Sequence, residues 1–361
     1  MPVWLSLLVV LVAFYVLAAI VDGPFIASLD VLARWMKLPS SVAGATLLAF
    51  GTSAPEISTA LVALFAEGAH PSTGVGSIVG SAIFQILVVV GFAALVKAST
   101  LDWRPVLRDS VFYALSIVLL IVFVRDDRLT LVEAWVLVGA YGLYLGVMGY
   151  WARKVEELDE PERGEQALVE PAEPAEPGLA LRLLRVLTWP IDRLIALFPD
   201  PEAKPRWTLP VFLLSLATIS FACYWLVFAA EDLARALSVP PAIIALTILA
   251  GGSSIPELVS SVSVSRQGRG DMAIANAIGS NIFDVLLSLG LPVLLYCSMH
   301  GDLVGLGGAT LSSSIILLLA TLIMVIGLLA AQRFRIGRAF GVFLILLYCG
   351  YVTATVLGWL S

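Results

Sequence analysis

Two glutamates, each directly behind a proline inside a long apolar run, are the residues of this chain best placed to do chemistry. Gly51-Thr52-Ser53-Ala54-Pro55-Glu56 returns 201 positions later as Gly252-Ser253-Ser254-Ile255-Pro256-Glu257. A second matched stretch follows each copy, Gly80-Ser81-Ala82-Ile83-Phe84-Gln85 and Gly279-Ser280-Asn281-Ile282-Phe283-Asp284. Proline has no N–H, and its ring clashes with the carbonyl four residues earlier. Pro55 and Pro256 are therefore expected to strip the Gly51 and Gly252 carbonyls of their helical partners. A bare carbonyl in hydrocarbon is costly unless it lines a cavity or binds something, and a carboxylate there marks an ion pathway by default. The hydroxyls of Thr52, Ser53, Ser253 and Ser254 stand within a turn of these groups. Carboxylate, hydroxyl and carbonyl oxygens together form a hard donor set that suits Na⁺, K⁺ or Ca²⁺ and not a soft metal.

The second stretch adds another wall. Ser280 and Asp284 are four apart and share a helix face, as do Ser81 and Gln85. Gly80 and Gly279 are small enough for close helix approach. Glu56, Glu257 and Asp284 bring a formal charge of up to −3, with Gln85 as the neutral member. One Ca²⁺ plus one monovalent cation, or three Na⁺, would neutralise it, and a site satisfied by either load is what exchange requires. Structural pairing is disfavoured because no Lys or Arg lies within the motif helices. Among the other polar residues, Asp22, Asp30, Glu231 and Asp232 are expected at span ends or a pore mouth. Glu133 and Asp109 are expected as solvated helix ends, and His70 and His300 in short exposed loops. Gly268-Arg269-Gly270-Asp271 reads as a tight turn with a helix N-cap.

Positioning these groups requires membrane spans. The chain is 60% hydrophobic and only 13% charged, with mean hydropathy +0.98, whereas soluble chains run near 25% charged. The apolar runs are continuous and do not alternate, so the expected class is an all-α polytopic membrane protein and not a β-barrel. Ten spans fit, at about 3–32, 40–66, 72–97, 106–124, 130–150, 208–236, 240–265, 271–298, 304–331 and 338–359. The N-terminal run is expected to stay as the first span, because it lacks a positive n-region. Cys223, Cys297 and Cys349 all fall in spans and are expected in the core, not in a disulfide or metal framework.

The only long polar stretch, 152–206, separates a first half at 1–151 (motif 40–97) from a second at 207–361 (motif 240–298). Its Glu- and Pro-rich part, Glu156 to Pro177, is expected to be disordered. An amphipathic surface helix is expected at about 181–197. Of the 21 Lys and Arg residues, 18 fall on the side of that linker and 3 on the other. The positive-inside rule then places the linker in the cytoplasm and both termini outside. With five spans per half, the second copy enters the membrane inverted, the architecture of secondary transporters with a midplane site.

These motifs resemble the paired alpha-repeats of the cation/Ca²⁺ exchanger superfamily, and most of all its potassium-dependent sodium/calcium exchanger branch, in a prokaryotic-type form. The first repeat is carried by Val42-Ala43-Gly44-Ala45-Thr46, Ser53-Ala54-Pro55-Glu56 and Ile78-Val79-Gly80-Ser81-Ala82-Ile83-Phe84. The second is carried by Arg266-Gln267-Gly268-Arg269-Gly270-Asp271-Met272-Ala273 and Gly279-Ser280-Asn281-Ile282-Phe283-Asp284. The resemblance covers roughly residues 22–97 and 228–296. It implies a ten-helix inverted-repeat fold in which Glu56 and Glu257 are the chief Ca²⁺ ligands and also serve Na⁺. Thr52, Ser53, Ser253, Ser254, Ser81 and Ser280 would assist, and helices 1 and 6 would slide to alternate access. An aspartate at the position of Asp284 is associated with K⁺ transport in that branch. Gln85 departs from the family's usual asparagine and sets the amide about 1.5 Å further into the site. Glu257 stands where that branch tends to carry aspartate, and some potassium-independent members also carry aspartate at the position of Asp284.

The expected function is Na⁺/Ca²⁺ antiport at a cell membrane, with K⁺ co-transport left open. The protein is not expected to be an enzyme: no His pair, Ser–Lys dyad or HExxH spacing occurs in the spans. Ca²⁺/H⁺ antiport through the same glutamates is the alternative, and a cation channel a distant one. The expected partners are inorganic cations and the lipid bilayer, with no nucleic acid.

Overall fold

Apolar runs of this length find no water in a bilayer to satisfy their backbone, so helix is the answer nearly throughout. The structure is a computed structural model that describes residues 2–35, 52–67, 70–156, 189, 191–266 and 270–357. In chain order, α1 (Val3–Ile20) passes through a kink at Val21–Phe25, where Gly23 (φ −105°, ψ −110°) leaves helical geometry ahead of Pro24, into α2 (Ile26–Trp35). Next come α3 (Ala54–Phe65) and α4 (Pro71–Phe84), which continues through a π turn at Gln85–Val89 into α5 (Val90–Val96). β1 (Ser99–Thr100), α6 (Trp103–Phe123), β2 (Arg128–Leu129) and α7 (Leu131–Glu156) follow.

The second part opens with α8 (Thr208–Leu237) and α9 (Pro241–Ile244). A π turn at Ala245–Leu249 leads to α10 (Ala250–Ser253), and α11 (Ile255–Arg266) follows. α12 (Gly270–Phe283) runs through a π turn at Asp284–Ser288 into α13 (Gly290–His300). β3 (Leu303–Val304), α14 (Gly308–Ala331), β4 (Arg335–Ile336) and α15 (Arg338–Val356) complete the chain.

Among the described residues, 8 continuous helices are long and apolar enough to cross a membrane, and Ala54–Phe65 and Pro241–Ser253 are shorter apolar helices. The two shorter pieces lie in the second and seventh expected spans, the ones that carry the Pro-Glu motifs. The Pro71–Val96 span is the centre of the bundle: 89% of its apolar window is buried, against 28% for Val3–Leu29. Large apolar side chains such as Trp4, Leu11, Trp135, Leu143, Phe221 and Leu346 are exposed around the outside, as expected for faces that meet lipid and not water.

Local chemistry sets the helix ends. α6 starts where the Asp102 carboxylate accepts the Arg104 N–H at 3.1 Å. α7 starts with a capping box: Glu133 accepts the Thr130 N–H at 2.8 Å, while the Glu133 N–H reaches Thr130 Oγ1 at 3.3 Å. The Asp127 carboxylate accepts the N–H groups of Leu306 and Gly308, at 3.1 and 3.0 Å, and so caps α14 from another loop. Short antiparallel strand pairs join β1 to β4 and β2 to β3. They lie at opposite ends of the 21-residue α6, roughly 30 Å apart at 1.5 Å per residue.

The apolar interior divides in two. α1, α2 and α8 form one cluster, built on Leu17, Ile20, Phe25, Ile219, Cys223 and Leu226, which also takes in Ala54 and Ala63 of α3 and Ile244, Ala245 and Leu249. The main core lies around α4, α6, α12 and α14, and α3 contributes its other face through Ile57, Ala60 and Leu64. α4 meets the second part of the chain at Gly80, where an added Cβ would fall 2.4 Å from the Leu246 carbonyl oxygen.

Several expectations are corrected here. Asp109 is not solvated; it is buried, and Arg108 grips it at 2.8 and 3.1 Å. Glu133 is half-buried because it closes its capping box. Glu231 is buried and accepts the His70 N–H at 2.9 Å and the Thr73 hydroxyl at 3.1 Å, tying α8 to the start of α4. Cys223 and Cys297 are core residues, but Cys349 is exposed, because its face of α15 looks outward. Among the described residues nothing lies within 4 Å of a Cβ added at Gly279, and the stretch at 45–49 that matches the Gly80 neighbours Leu246 and Ala250 lies outside them. The side chains of Asp22 and Asp30, the Gly51 carbonyl, Gly268-Arg269 and the expected disordered tract lie outside the described residues. So does most of the expected surface helix, of which residues 191–195 are helical.

Candidate cation-binding site

Both Pro-Glu motifs break their helices at the same place. Ser53 (φ −89°, ψ 9°) precedes α3, and Ser254 (φ −91°, ψ 12°) separates α10 from α11. Each break falls two residues before the proline, where a continuous helix would meet the pyrrolidine ring. α3 and α11 then present Glu56 and Glu257 in their first turns, the favourable end of a helix for a negative charge.

The second stretches lie beside these breaks. At Gln85–Val89 and Asp284–Ser288 the ladder widens to π spacing: Val90 N–H bonds the Gln85 carbonyl, and Leu289 N–H bonds the Asp284 carbonyl at 3.0 Å. Such turns recur at functional sites because they re-aim side chains without ending a helix. α3 packs against the Asp284–Ser288 turn, and α11 packs against the Gln85–Val89 turn.

A hydrogen-bonded line results. Glu56 Oε1 lies 3.2 Å from the Ser81 hydroxyl and 3.3 Å from the Ser254 hydroxyl, which are also within hydrogen-bond reach of each other, so one hydroxyl donates to the carboxylate and the other to its neighbour. Gln85 Nε2 lies 3.4 Å from Ser81 Oγ and donates to Asp284 Oδ2 at 3.1 Å. Gln85 Oε1 accepts the Ser280 hydroxyl at 2.7 Å, and Ser288 donates to Asp284 Oδ1 at 3.1 Å. Glu56 is 1% exposed, and Gln85 and Asp284 are 0% exposed.

Six of the ten expected site residues, Glu56, Ser81, Gln85, Ser254, Ser280 and Asp284, therefore stand in one chain of contacts drawn from both copies of the motif. Ser53 is buried within electrostatic reach of Asp284, with its hydroxyl unbonded, and Ser253 is within electrostatic reach of Glu56. Ser253 turns to its own helix and donates to the Ala250 carbonyl at 3.3 Å. Thr52 and Glu257 are buried, Glu257 completely. The three carboxylates do not form a compact triad: among the described residues, no three His, Cys, Asp or Glu side chains cluster closely enough to hold a metal ion by themselves. Hydroxyls and the Gln85 amide intervene.

Two residues missed from sequence complete the surroundings. Ser288 holds Asp284 across the π turn, at an i+4 spacing visible in the sequence. Asn281 is buried, donates to the Ala82 carbonyl at 3.4 Å and leaves its own Oδ1 without a partner. The Glu56 Oε2 atom is likewise buried and unpartnered. A buried carboxylate oxygen with no donor is costly, and Glu56 and Asp284 repel each other across the cluster. A hard cation would relieve both penalties.

Comparisons with known proteins agree with this chemistry. Residues 6–150 and 207–357 match the family model described as "Sodium/calcium exchanger protein". Human "Sodium/potassium/calcium exchanger 4" is 25% identical, the match covering 98% of this chain and 81% of that protein. Chicken "Sodium/potassium/calcium exchanger 2" is 27% identical over 95% of this chain and 76% of the relative. The solved sodium-calcium exchanger NCX_Mj, soaked with Na⁺ and Sr²⁺, shares the fold with a TM-score of 0.58 at 22% identity, covering 98% of this chain and 99% of that one. These relatives are transporters and not enzymes. With both halves matched and the helical membrane fold shared, the chain belongs to the sodium/calcium exchanger family, within the cation/Ca²⁺ exchanger superfamily.

Proposed function

We propose that the protein is a secondary antiporter that exchanges Na⁺ for Ca²⁺ across a cell membrane by alternating access. The observation that carries this reading is the buried line from Glu56 through Ser81, Ser254 and Gln85 to Asp284, built from both copies of one motif. Glu56 and Glu257 are the chief Ca²⁺ ligands and also receive Na⁺. Thr52, Ser53, Ser81, Ser253, Ser254 and Ser280 add hydroxyl or backbone oxygen, and Asp284 with Gln85 forms the far wall. Ca²⁺ takes six to eight oxygens at about 2.3–2.6 Å, and so would draw the separated carboxylates together.

The architecture is ten spans in two inverted five-span halves, 1–151 and 207–361, joined by a linker at 152–206. The strand pairs support this. Replacing each strand by its counterpart in the other half turns Ser99↔Ile336 into Leu303↔Leu129, and Thr100↔Arg335 into Val304↔Arg128. Those are the pairings observed, at the two ends of α6. The basic loops place the linker in the cytoplasm and both termini outside. α1 and α8 pack most extensively on each other, which supports their moving as a pair against α3 and the Ala245–Leu249 turn, whose residues share their apolar cluster.

The test is Ca²⁺ uptake into Na⁺-loaded proteoliposomes diluted into Na⁺-free buffer, with and without a pH gradient. Uptake that follows the Na⁺ gradient is expected. Uptake that ignores Na⁺ and follows the pH gradient would establish Ca²⁺/H⁺ antiport instead.

A further inference from the structure

The two halves of the site differ in formal charge at one pair of positions, where Gln85 stands opposite Asp284. The Gln85 carboxamide lies between acceptors. Its Nε2 is 3.1 Å from Asp284 Oδ2 and 3.4 Å from Ser81 Oγ, while its Oε1 takes the Ser280 hydroxyl at 2.7 Å. All four residues are buried. The orientation is enforced by charge: reversing the amide would set two acceptor oxygens, Oε1 and Asp284 Oδ2, against each other at about hydrogen-bond distance. The N–H edge thus points at the carboxylate, where a cation bridging Asp284 and Ser81 would put its positive charge. Asp284 is held on its other oxygen by Ser288 at 3.1 Å. Its charge is satisfied by two donors of this chain.

We propose that the Gln85 carboxamide is a built-in occupant of the monovalent-cation position between Asp284 and Ser81, so that the protein exchanges two Na⁺ for one Ca²⁺ and transports without K⁺. The inference rests on the reading of the cluster as the ion site. Asp284 keeps the same hydrogen-bonded charge in both loading states and drops out of the balance. Glu56 and Glu257 remain, and their two charges are matched by one Ca²⁺ or by two Na⁺. Shortening residue 85 to asparagine would withdraw the amide by about 1.5 Å, one carbon–carbon bond. That breaks its reach to Asp284 and opens the position to a free monovalent cation.

The test measures radiolabelled Na⁺ efflux and Ca²⁺ uptake together in proteoliposomes, with K⁺ present or replaced by a large organic cation. For the wild type, a flux ratio of about two, a Na⁺ Hill coefficient that does not exceed about two, and no response to K⁺ are expected. Gln85→Asn should raise the Na⁺ coefficient towards about three or make Ca²⁺ transport depend on K⁺. A wild-type ratio near three, K⁺ stimulation of the wild type, or a Gln85→Asn protein with unchanged ion dependence would overturn the inference while leaving the exchanger reading standing. Absence of any Na⁺-driven Ca²⁺ uptake in the wild type would overturn both. The wild-type measurements decide the matter even if Gln85→Asn fails to fold.

Discussion

Alanine at Gly80 should force apart two helices from different halves of the chain and disturb the candidate site between them. A Cβ built on Gly80 lies 2.4 Å from the Leu246 carbonyl oxygen and 2.7 Å from Ala250 Cβ, against ordinary contact that begins at 3.4 Å. Neither neighbour is the end of a flexible side chain, so neither can swing aside. The deficit of about 1 Å must come from parting α4 and the Ala245–Leu249 turn, and overpacking of this kind costs about 1–3 kcal/mol. The next residue, Ser81, bonds both Ser254 and Glu56, so the same displacement also stretches the candidate ion site. Thermal unfolding of the detergent-solubilised protein should therefore fall by several degrees for Gly80→Ala, at roughly 2 °C per kcal/mol for a long chain. An unchanged midpoint would refute the reasoning, because it would mean that α4 and the Ala245–Leu249 turn part without cost.

Other outcomes follow from single contacts. Glu56→Gln and Glu257→Gln should each abolish Na⁺-driven Ca²⁺ uptake. Removing one partner of a buried charge pair costs about 3–5 kcal/mol, or at least a hundredfold in Ca²⁺ affinity, and near-normal uptake in either variant would remove that residue from the site. Glu231→Ala should destabilise the protein by about 1–3 kcal/mol, because the Thr73 hydroxyl and the His70 N–H lose their shared acceptor. Glu231→Gln keeps an oxygen there and should stay close to wild type; equal loss in both variants would point to charge and not hydrogen bonding. Asp127→Ala removes the cap of α14 and should lower stability by about 1 kcal/mol, and a null effect in thermal unfolding would show that water replaces the carboxylate.

Much of the candidate site was legible in the chain because hydrocarbon makes polar atoms conspicuous. Glu56 and Asp284 had to be functional or ruinous, and the Ser81, Ser254 and Ser280 hydroxyls stand beside them at helical spacing. The packing of the site was less legible. Asp109 reads as a solvated end, but Arg108, its neighbour in sequence, goes into the protein with it. Ser288 meets Asp284 across a π turn, and π turns have no residue signature of their own.

By itself the sequence determined that the chain is helical, that it crosses a bilayer repeatedly and that its chemistry belongs to hard cations. Those conclusions rest on composition and on the cost of each buried polar group, which are properties of residues taken one at a time. Tertiary structure alone decided that Ser81 meets Ser254 across 173 positions of chain, and that Gln85 meets Asp284 across 199. It also decided that Gly80 is closed in by Leu246 and Ala250. Each of these depends on how two distant helices are set against one another to within about an ångström, the tolerance of close packing. The residue chemistry of a motif is written in its own letters, but the atoms it meets are set by helices far away in the chain.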